Sequence, residues 1–163
     1  MNLRKWVGFT GVVVLILSAL PHFLTYWQID LAEEFWPVWA LFAFSIAIFA
    51  FLINSSVVKN SPISYKDRLT IMPKWSWVVL SGFFVYLVFL APTFFRFGIA
   101  VPYEDNGKYI LNEHGRITEY TLQDVELRKL YRLRLASAFW MYMTLWSTLY
   151  LLTAKDGSSD KKD

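Results

Sequence analysis

Four long stretches of the chain contain no charged residue. They cover residues 6–29, 35–58, 75–95 and 135–154, and they are 24, 24, 21 and 20 residues long. An α-helix needs about 20 apolar residues to cross a bilayer core roughly 30 Å thick. Each stretch meets that length. The pattern therefore predicts four transmembrane helices, at 6–29, 35–58, 75–95 and 133–154.

The connection between the third and fourth predicted spans has a different pattern. Asn106 and Gly107 form a strong hairpin-turn signal, because both residue types tolerate a positive φ angle. Short stretches with β-strand character lie on both sides of this turn. The sequence predicts an extramembrane β-ribbon at 99–120, made of two or three antiparallel strands, with residues 99–103 as a possible first strand.

A helix start follows the ribbon. Thr121 is placed as the N-cap, and Asp124 lies in the first turn, where a negative charge is favourable. No helix-breaking residue follows until Gly157, so the helix extends from about 122 to 154, or roughly 50 Å at 1.5 Å per residue. This exceeds the thickness of a bilayer core, and the fourth helix should project beyond the membrane.

The predicted fold class is an all-α membrane protein. It is a four-transmembrane-helix bundle, with a small extramembrane β-ribbon between the third and fourth helices and a long projecting fourth helix. Residues 1–163 form a single integral membrane domain, because no segment outside the spans is large enough for a soluble domain. The polar tail at 155–163 is predicted to be disordered.

Basic residues beside the spans predict the orientation. The net charge is +3, and we attribute it to the rule that loops rich in Lys and Arg stay in the cytoplasm, not to nucleic-acid binding. Both termini and the 59–74 connection are basic, and the first connection is acidic. The prediction is a multi-pass protein of the cytoplasmic (inner) membrane with both termini cytoplasmic. Four cations then lie on the outer side, where they contact phosphates or nearby acids: Arg128, Lys129, Arg132 and Arg134.

Few side chains in the spans offer chemistry. The chain has no cysteine and two histidines, which excludes disulfides and thiolate metal sites and leaves no spacing typical of a metal site. His22 and Asn54 form the candidate intramembrane polar site. For His22 we weigh a proton relay or haem ligand against a neutral ring bonded to a carbonyl freed by Pro21, and favour the latter. For Asn54 we favour a helix end approaching water over a bond between helices. No catalytic residue and no cofactor is predicted.

Small residues mark where the helices should pack closely, since close approach supplies contact energy between helices in lipid. We expect such contacts at Gly8 and Gly11 in the first span, at several alanines of the second, at Ser81 and Gly82 in the third, and at residues 136–138 in the fourth.

The leading functional hypothesis is a non-enzymatic protein that acts by protein–protein interaction within the bilayer. Small, basic four-span proteins without catalytic motifs include bacterial immunity proteins, which bind a membrane-active toxin, and accessory subunits of membrane complexes. The expected partners are the lipid bilayer and another membrane protein or a toxin, with a homo-oligomer as a further option. The candidate interaction surface is Tyr109, Asn112, His114, Arg116, Arg128 and Arg132.

Two other hypotheses remain open. An oligomeric channel or small transporter would need a polar stripe along a span, but only Ser45 and Ser81 interrupt the second and third spans deep in the membrane. An enzyme acting at the outer face would use His114, Glu113 and Arg116.

Overall fold

The computed structural model describes residues 3–31, 37–54, 72–97, 100, 102–113 and 115–153. Within these ranges the chain is mainly helical and carries a small antiparallel sheet. The helices are α1 (Leu3–Leu24), extended by a 3₁₀ turn (Thr25–Trp27), α2 (Val38–Asn54), α3 (Lys74–Phe97) and α4 (Leu122–Thr153). The strands are β1 (Tyr103–Asp105), β2 (Lys108–Glu113) and β3 (Arg116–Tyr120).

A helix is found at each of the four predicted positions. Three of them are long and apolar enough to cross a membrane: Leu3–Trp27, Lys74–Pro92 and Leu122–Thr153. The second apolar helix, α2, has 17 residues, or about 25 Å at 1.5 Å per residue. The outermost residues of the predicted second span and the predicted disordered tail lie outside the described residues.

Helix α4 is the centre of the bundle, and it contacts α1, α2 and α3. Gly8 lies opposite Leu152, and His22 lies opposite Ser137, so α1 and α4 run antiparallel. Buried residues form two clusters along this pair. Toward the first residues of α1 they are Val14, Ile48, Leu52, Met72, Leu80, Tyr150 and Leu151; toward the sheet they are Val38, Leu133, Trp140 and Met141.

Glycines allow α1 to approach α4 closely, as predicted for the first span. A Cβ atom added at Gly11 would overlap Thr148 Oγ1, and one added at Gly8 would lie 2.6 Å from Leu152 Cδ2. The corresponding prediction for the third span is wrong. A Cβ at Gly82 would meet nothing within 4 Å, and Ser81 is exposed, so neither small residue is packed against a neighbouring helix.

The predicted turn at Asn106–Gly107 is confirmed, with φ angles of 52° and 76°. The sheet has the order β1-β2-β3, and both pairs are antiparallel. The first strand is Tyr103–Asp105, so it shares only Tyr103 with the suggested strand at 99–103; Ala100 and Pro102 are not in a strand, and residues 99 and 101 lie outside the described residues. The two-residue turn pairs Asp105 with Lys108, and Pro102, which has no N–H to donate, precedes the first paired residue.

The start of α4 is also as predicted. The Asp124 amide donates to Thr121 Oγ1 at 3.2 Å, and the Thr121 amide donates to Asp124 Oδ2 at 3.1 Å. This reciprocal arrangement satisfies two backbone donors at the helix start. From there α4 continues for 32 residues, or about 48 Å, and so links the sheet to the far end of the bundle.

Candidate functional site

A chain of hydrogen bonds joins three helices near the sheet end of the bundle. His22 is only 2% exposed. Its Nδ1 lies 2.9 Å from Ser137 Oγ on α4, and its Nε2 lies 2.6 Å from Tyr86 Oη on α3. Tyr26 Oη, from the turn that extends α1, lies 2.6 Å from the same Tyr86 oxygen. The four side chains therefore form one connected polar network.

The backbone of α4 sets the direction of this chain. The Ser137 hydroxyl lies 2.7 Å from the Leu133 carbonyl, one turn earlier in the same helix. A carbonyl oxygen only accepts, so the Ser137 proton points at it and Ser137 Oγ must accept from His22. His22 is thereby assigned a proton on Nδ1, an assignment inferred from the network.

The directions of the remaining hydrogen bonds, from His22 to Tyr86 and Tyr26, follow from the charge of the His22 ring. A second proton on the His22 ring would place a positive charge in a site that is only 2% exposed, which is unfavourable. His22 Nε2 therefore accepts from the Tyr86 hydroxyl, and Tyr86 Oη accepts from Tyr26. One acceptor position, on Tyr26 Oη, is not used within this chain of hydrogen bonds.

Arg134 fixes the end of α1. Its Nη2 donates to the Thr25 carbonyl at 2.6 Å and its Nε donates to Thr25 Oγ1 at 2.9 Å. The guanidinium also lies 3.9 Å from the centre of the Tyr26 ring, a distance typical of a cation–π contact. Arg134 thus binds a carbonyl at the end of the first helix, which also accepts from the Gln28 amide at 3.3 Å, and it holds the Tyr26 ring in place.

Arg4 makes the equivalent contact at the opposite end of the pair. It is buried in the first turn of α1, and it donates to the carbonyls of Leu151 at 2.9 Å and Tyr150 at 3.3 Å. These carbonyls belong to the last turn of α4, where a positive charge is favourable. Arg134 was expected to contact phosphates or nearby acids, and in the structure it binds Thr25 at the end of α1.

A groove of about 600 Å³ lies beside the polar chain, between α1 and α3, with α4 as its floor. Gly82 contributes to its depth, because this position carries no side chain. Phe23 and Trp27 at its rim are 54% and 70% exposed, so the groove opens on the side of the bundle. Its lining is mainly apolar and consists of His22, Phe23, Tyr26, Trp27, Gly82, Phe83, Tyr86 and Met141.

The two predicted intramembrane polar residues lie apart. His22 contacts side chains of two other helices, so the expectation that it bonds a carbonyl freed by Pro21 is wrong. Asn54 donates to the Ala50 carbonyl of its own helix at 2.9 Å and is exposed. It lies just beyond Leu52, which belongs to the cluster at the opposite end of the bundle from His22.

The predicted interaction surface is divided between the sheet, which carries Tyr109, Asn112 and Arg116, and helix α4, which carries Arg128 and Arg132. Side chains alternate along a strand, so Tyr109 and Asn112 point to opposite sides. Asn112 Oδ1 accepts from the Gly115 amide at 2.9 Å and so supports the turn. Arg128 donates to Tyr120 Oη at 2.9 Å. Arg116 and Arg132 are exposed, and His114 lies outside the described residues.

Sequence reasoning missed Tyr86, Gly82 and Arg134 as site residues. A signal was available for the first two, because a spacing of four places Gly82 and Tyr86 on one face of a helix. For Arg134, the signal was its place three residues before Ser137 on the same helix. Among the described residues, no group of three or more histidine and acidic side chains is arranged to hold a metal ion.

Comparisons with protein-family models, with curated proteins and with solved structures found no match.

Proposed function

We propose that this is a non-enzymatic membrane protein that acts by binding another protein through the free edge of strand β3. The observation that carries the proposal is the exposure of this edge. Among the residues that the structure describes, strand β3 pairs with β2 on one side only, and four of its five residues, Arg116 to Glu119, are exposed. Such an edge presents unpaired backbone N–H and C=O groups, to which an extended segment of a partner can add as a further strand.

The attachment of β3 to helix α4 supports the choice of this edge as the binding surface. Tyr120 ends the strand directly before the Thr121 cap of α4, and Arg128 holds its ring from the second turn of that helix, with the guanidinium 4.3 Å from the ring centre. The edge is thereby tied to the central helix of the bundle. A strand held in this way loses little conformational freedom when a partner binds. The other edge strand, β1, has three residues against five in β3 and offers fewer hydrogen bonds.

The proposed partner is another membrane protein or a membrane-active toxin. The first would make this chain an accessory subunit of a membrane complex, and the second would make it an immunity protein. In both versions the protein belongs to the cytoplasmic membrane, with both termini in the cytoplasm and the sheet outside.

The test is purification of the tagged protein from its native membrane in mild detergent, with mass spectrometry of the proteins that accompany it. We expect a stoichiometric partner, whose identity distinguishes the two versions. Ile117 is 63% exposed on β3, and Ile117→Lys should remove the partner. The matched control is Tyr103→Lys, at a 54% exposed position of the opposite edge, which should retain it.

Two results would contradict the proposal. One is a partner that Ile117→Lys leaves bound. The other is a homo-oligomer without any second protein, which would favour the oligomeric channel and would make ion flux in liposomes the next measurement.

A further inference from the structure

The groove between α1 and α3 has a polar end and an apolar end. Tyr26 and Tyr86 place their phenol oxygens at the end nearer the sheet. One turn further from the sheet, Gly82 on α3 and Met141 on α4 continue the lining with apolar surface. Tyr26 also lies close to the last residue of the Leu3–Trp27 candidate span. The groove therefore has the polarity of a membrane amphiphile, with its head at the boundary and its body in the apolar layer.

The hydrogen-bond chain determines which head group fits. Tyr86 Oη donates to His22 and accepts from Tyr26, so both of its roles are taken. Tyr26 Oη donates to Tyr86, and an acceptor position remains on this 48% exposed side chain. A ligand that donates a hydrogen bond can use this position without breaking the chain. A ligand that only accepts would have to take the Tyr26 proton away from Tyr86.

The charge nearby restricts the head group further. The Arg134 guanidinium lies over the Tyr26 ring, so an ammonium head would meet a like charge. A neutral hydroxyl meets no such penalty. The volume of about 600 Å³ falls within the range of about 300–1,000 Å³ that is typical of small-molecule sites.

We infer that this groove binds a neutral membrane amphiphile whose alcohol or phenol hydroxyl donates to Tyr26 Oη and whose apolar body lies over Gly82 and Met141. The ligand enters from the bilayer, because the groove opens on the side of the bundle between two helices long enough to cross a membrane. This site is separate from the β3 edge, and it exists whether or not a protein binds there.

The test uses two probes, farnesol and its methyl ether, in which a methyl group replaces the hydroxyl hydrogen and so removes the hydrogen-bond donor. Binding to the purified full-length protein is measured by native mass spectrometry from detergent micelles, and affinity by the dose dependence of thermal stabilisation. We expect one saturable farnesol per chain. The ether should bind about twofold to twelvefold more weakly, the contribution of a single hydrogen bond of about 0.5–1.5 kcal/mol.

Two substitutions on α3 locate the site. Gly82→Leu places a side chain into open space in the groove and should reduce farnesol binding at least tenfold without loss of fold. Ser81→Leu adds the same side chain one residue away, at an exposed position outside the lining, and should bind farnesol as the wild type does.

The double variant Tyr26→Phe/Tyr86→Phe keeps both rings and removes both phenol oxygens. Its affinities for the alcohol and the ether should become about equal. The inference is overturned if the ether binds the wild type as tightly as the alcohol does, if Gly82→Leu leaves farnesol binding unchanged, or if farnesol adds to the chain without saturation. Association of the wild type into dimers that Gly82→Leu separates would also overturn it, because a second copy would then occupy the groove.

Discussion

Replacing Gly11 by alanine tests the close packing of α1 on α4. The added Cβ would overlap Thr148 Oγ1, so either the threonine or the helix must move. Overpacking of this kind costs about 1–3 kcal/mol. The same change also removes a helix-interior glycine, which favours the helix by about 1 kcal/mol. We therefore expect Gly11→Ala to be neutral or to destabilise the protein by up to about 2 kcal/mol.

Gly82→Ala is the matched control, since it makes the same chemical change inside another helix. Its Cβ would meet nothing within 4 Å, so only the gain in helix propensity remains, and this variant should be up to about 1 kcal/mol more stable than the wild type. The two variants should thus differ by about 1–3 kcal/mol in the free energy of unfolding, the overpacking term alone. The assay is equilibrium unfolding in mixed detergent micelles, followed by circular dichroism.

Thr148→Ala supplies the double-mutant cycle. Thr148 Oγ1 is buried and has no hydrogen-bond partner in the described part of the chain, so its removal leaves no group unpaired there. In the Thr148→Ala background, Gly11→Ala should become neutral or stabilising. The coupling energy between the two substitutions should equal the free-energy cost of the overlap that Thr148→Ala relieves. The reasoning is refuted if Gly11→Ala stabilises the wild type as much as Gly82→Ala does, or if the cycle shows no coupling.

Two further predictions concern the ends of α4. Arg4→Met keeps an apolar stem but removes the charged donors to the Tyr150 and Leu151 carbonyls. It should destabilise the protein by about 1–3 kcal/mol and speed hydrogen exchange in the last turn of α4. An exchange rate equal to that of the wild type would contradict this role of Arg4. At the other end, before the span predicted at 133–154, the Thr121 hydroxyl and amide hold the pKa of the Asp124 carboxyl below its ordinary value. Because that pKa is lowered by folding, the stabilisation is present above about pH 4, the unfolded value, and is lost as the pH falls through the lowered folded value. An NMR titration of the Asp124 carboxyl should therefore show a midpoint below that of an unperturbed aspartate, and Thr121→Ala should return it toward the ordinary value.

The helices and the hairpin could be predicted because their signals are local. Charge-free length marks the helices, Asn106 and Gly107 tolerate the turn, and Thr121 caps α4 with atoms from its own segment. Each of these depends on residues close together in the sequence, so no knowledge of the bundle was needed.

The candidate site could not be predicted in full, because its signals depend on neighbouring helices. Gly11 and Gly82 are the same residue type in similar apolar helices, yet one lies against α4 and the other faces open space. Arg4 and Arg134 have the pattern of interfacial cations, and only the antiparallel pairing of α1 with α4 places helix-end carbonyls beside them. The partners of His22 likewise come from α3 and α4, at separations of 64 and 115 residues.

The most direct test of the polar chain is the protonation state of the His22 ring. Nitrogen-15 NMR of histidine-labelled protein distinguishes a protonated from an unprotonated ring nitrogen, and a His114→Asn variant leaves His22 as the remaining histidine signal. The hydrogen bonds from Tyr26 through Tyr86, His22 and Ser137 to the Leu133 carbonyl predict a proton on Nδ1 and none on Nε2. A proton on Nε2 would reverse the chain, and Tyr26 would no longer be the acceptor that selects a hydroxyl ligand.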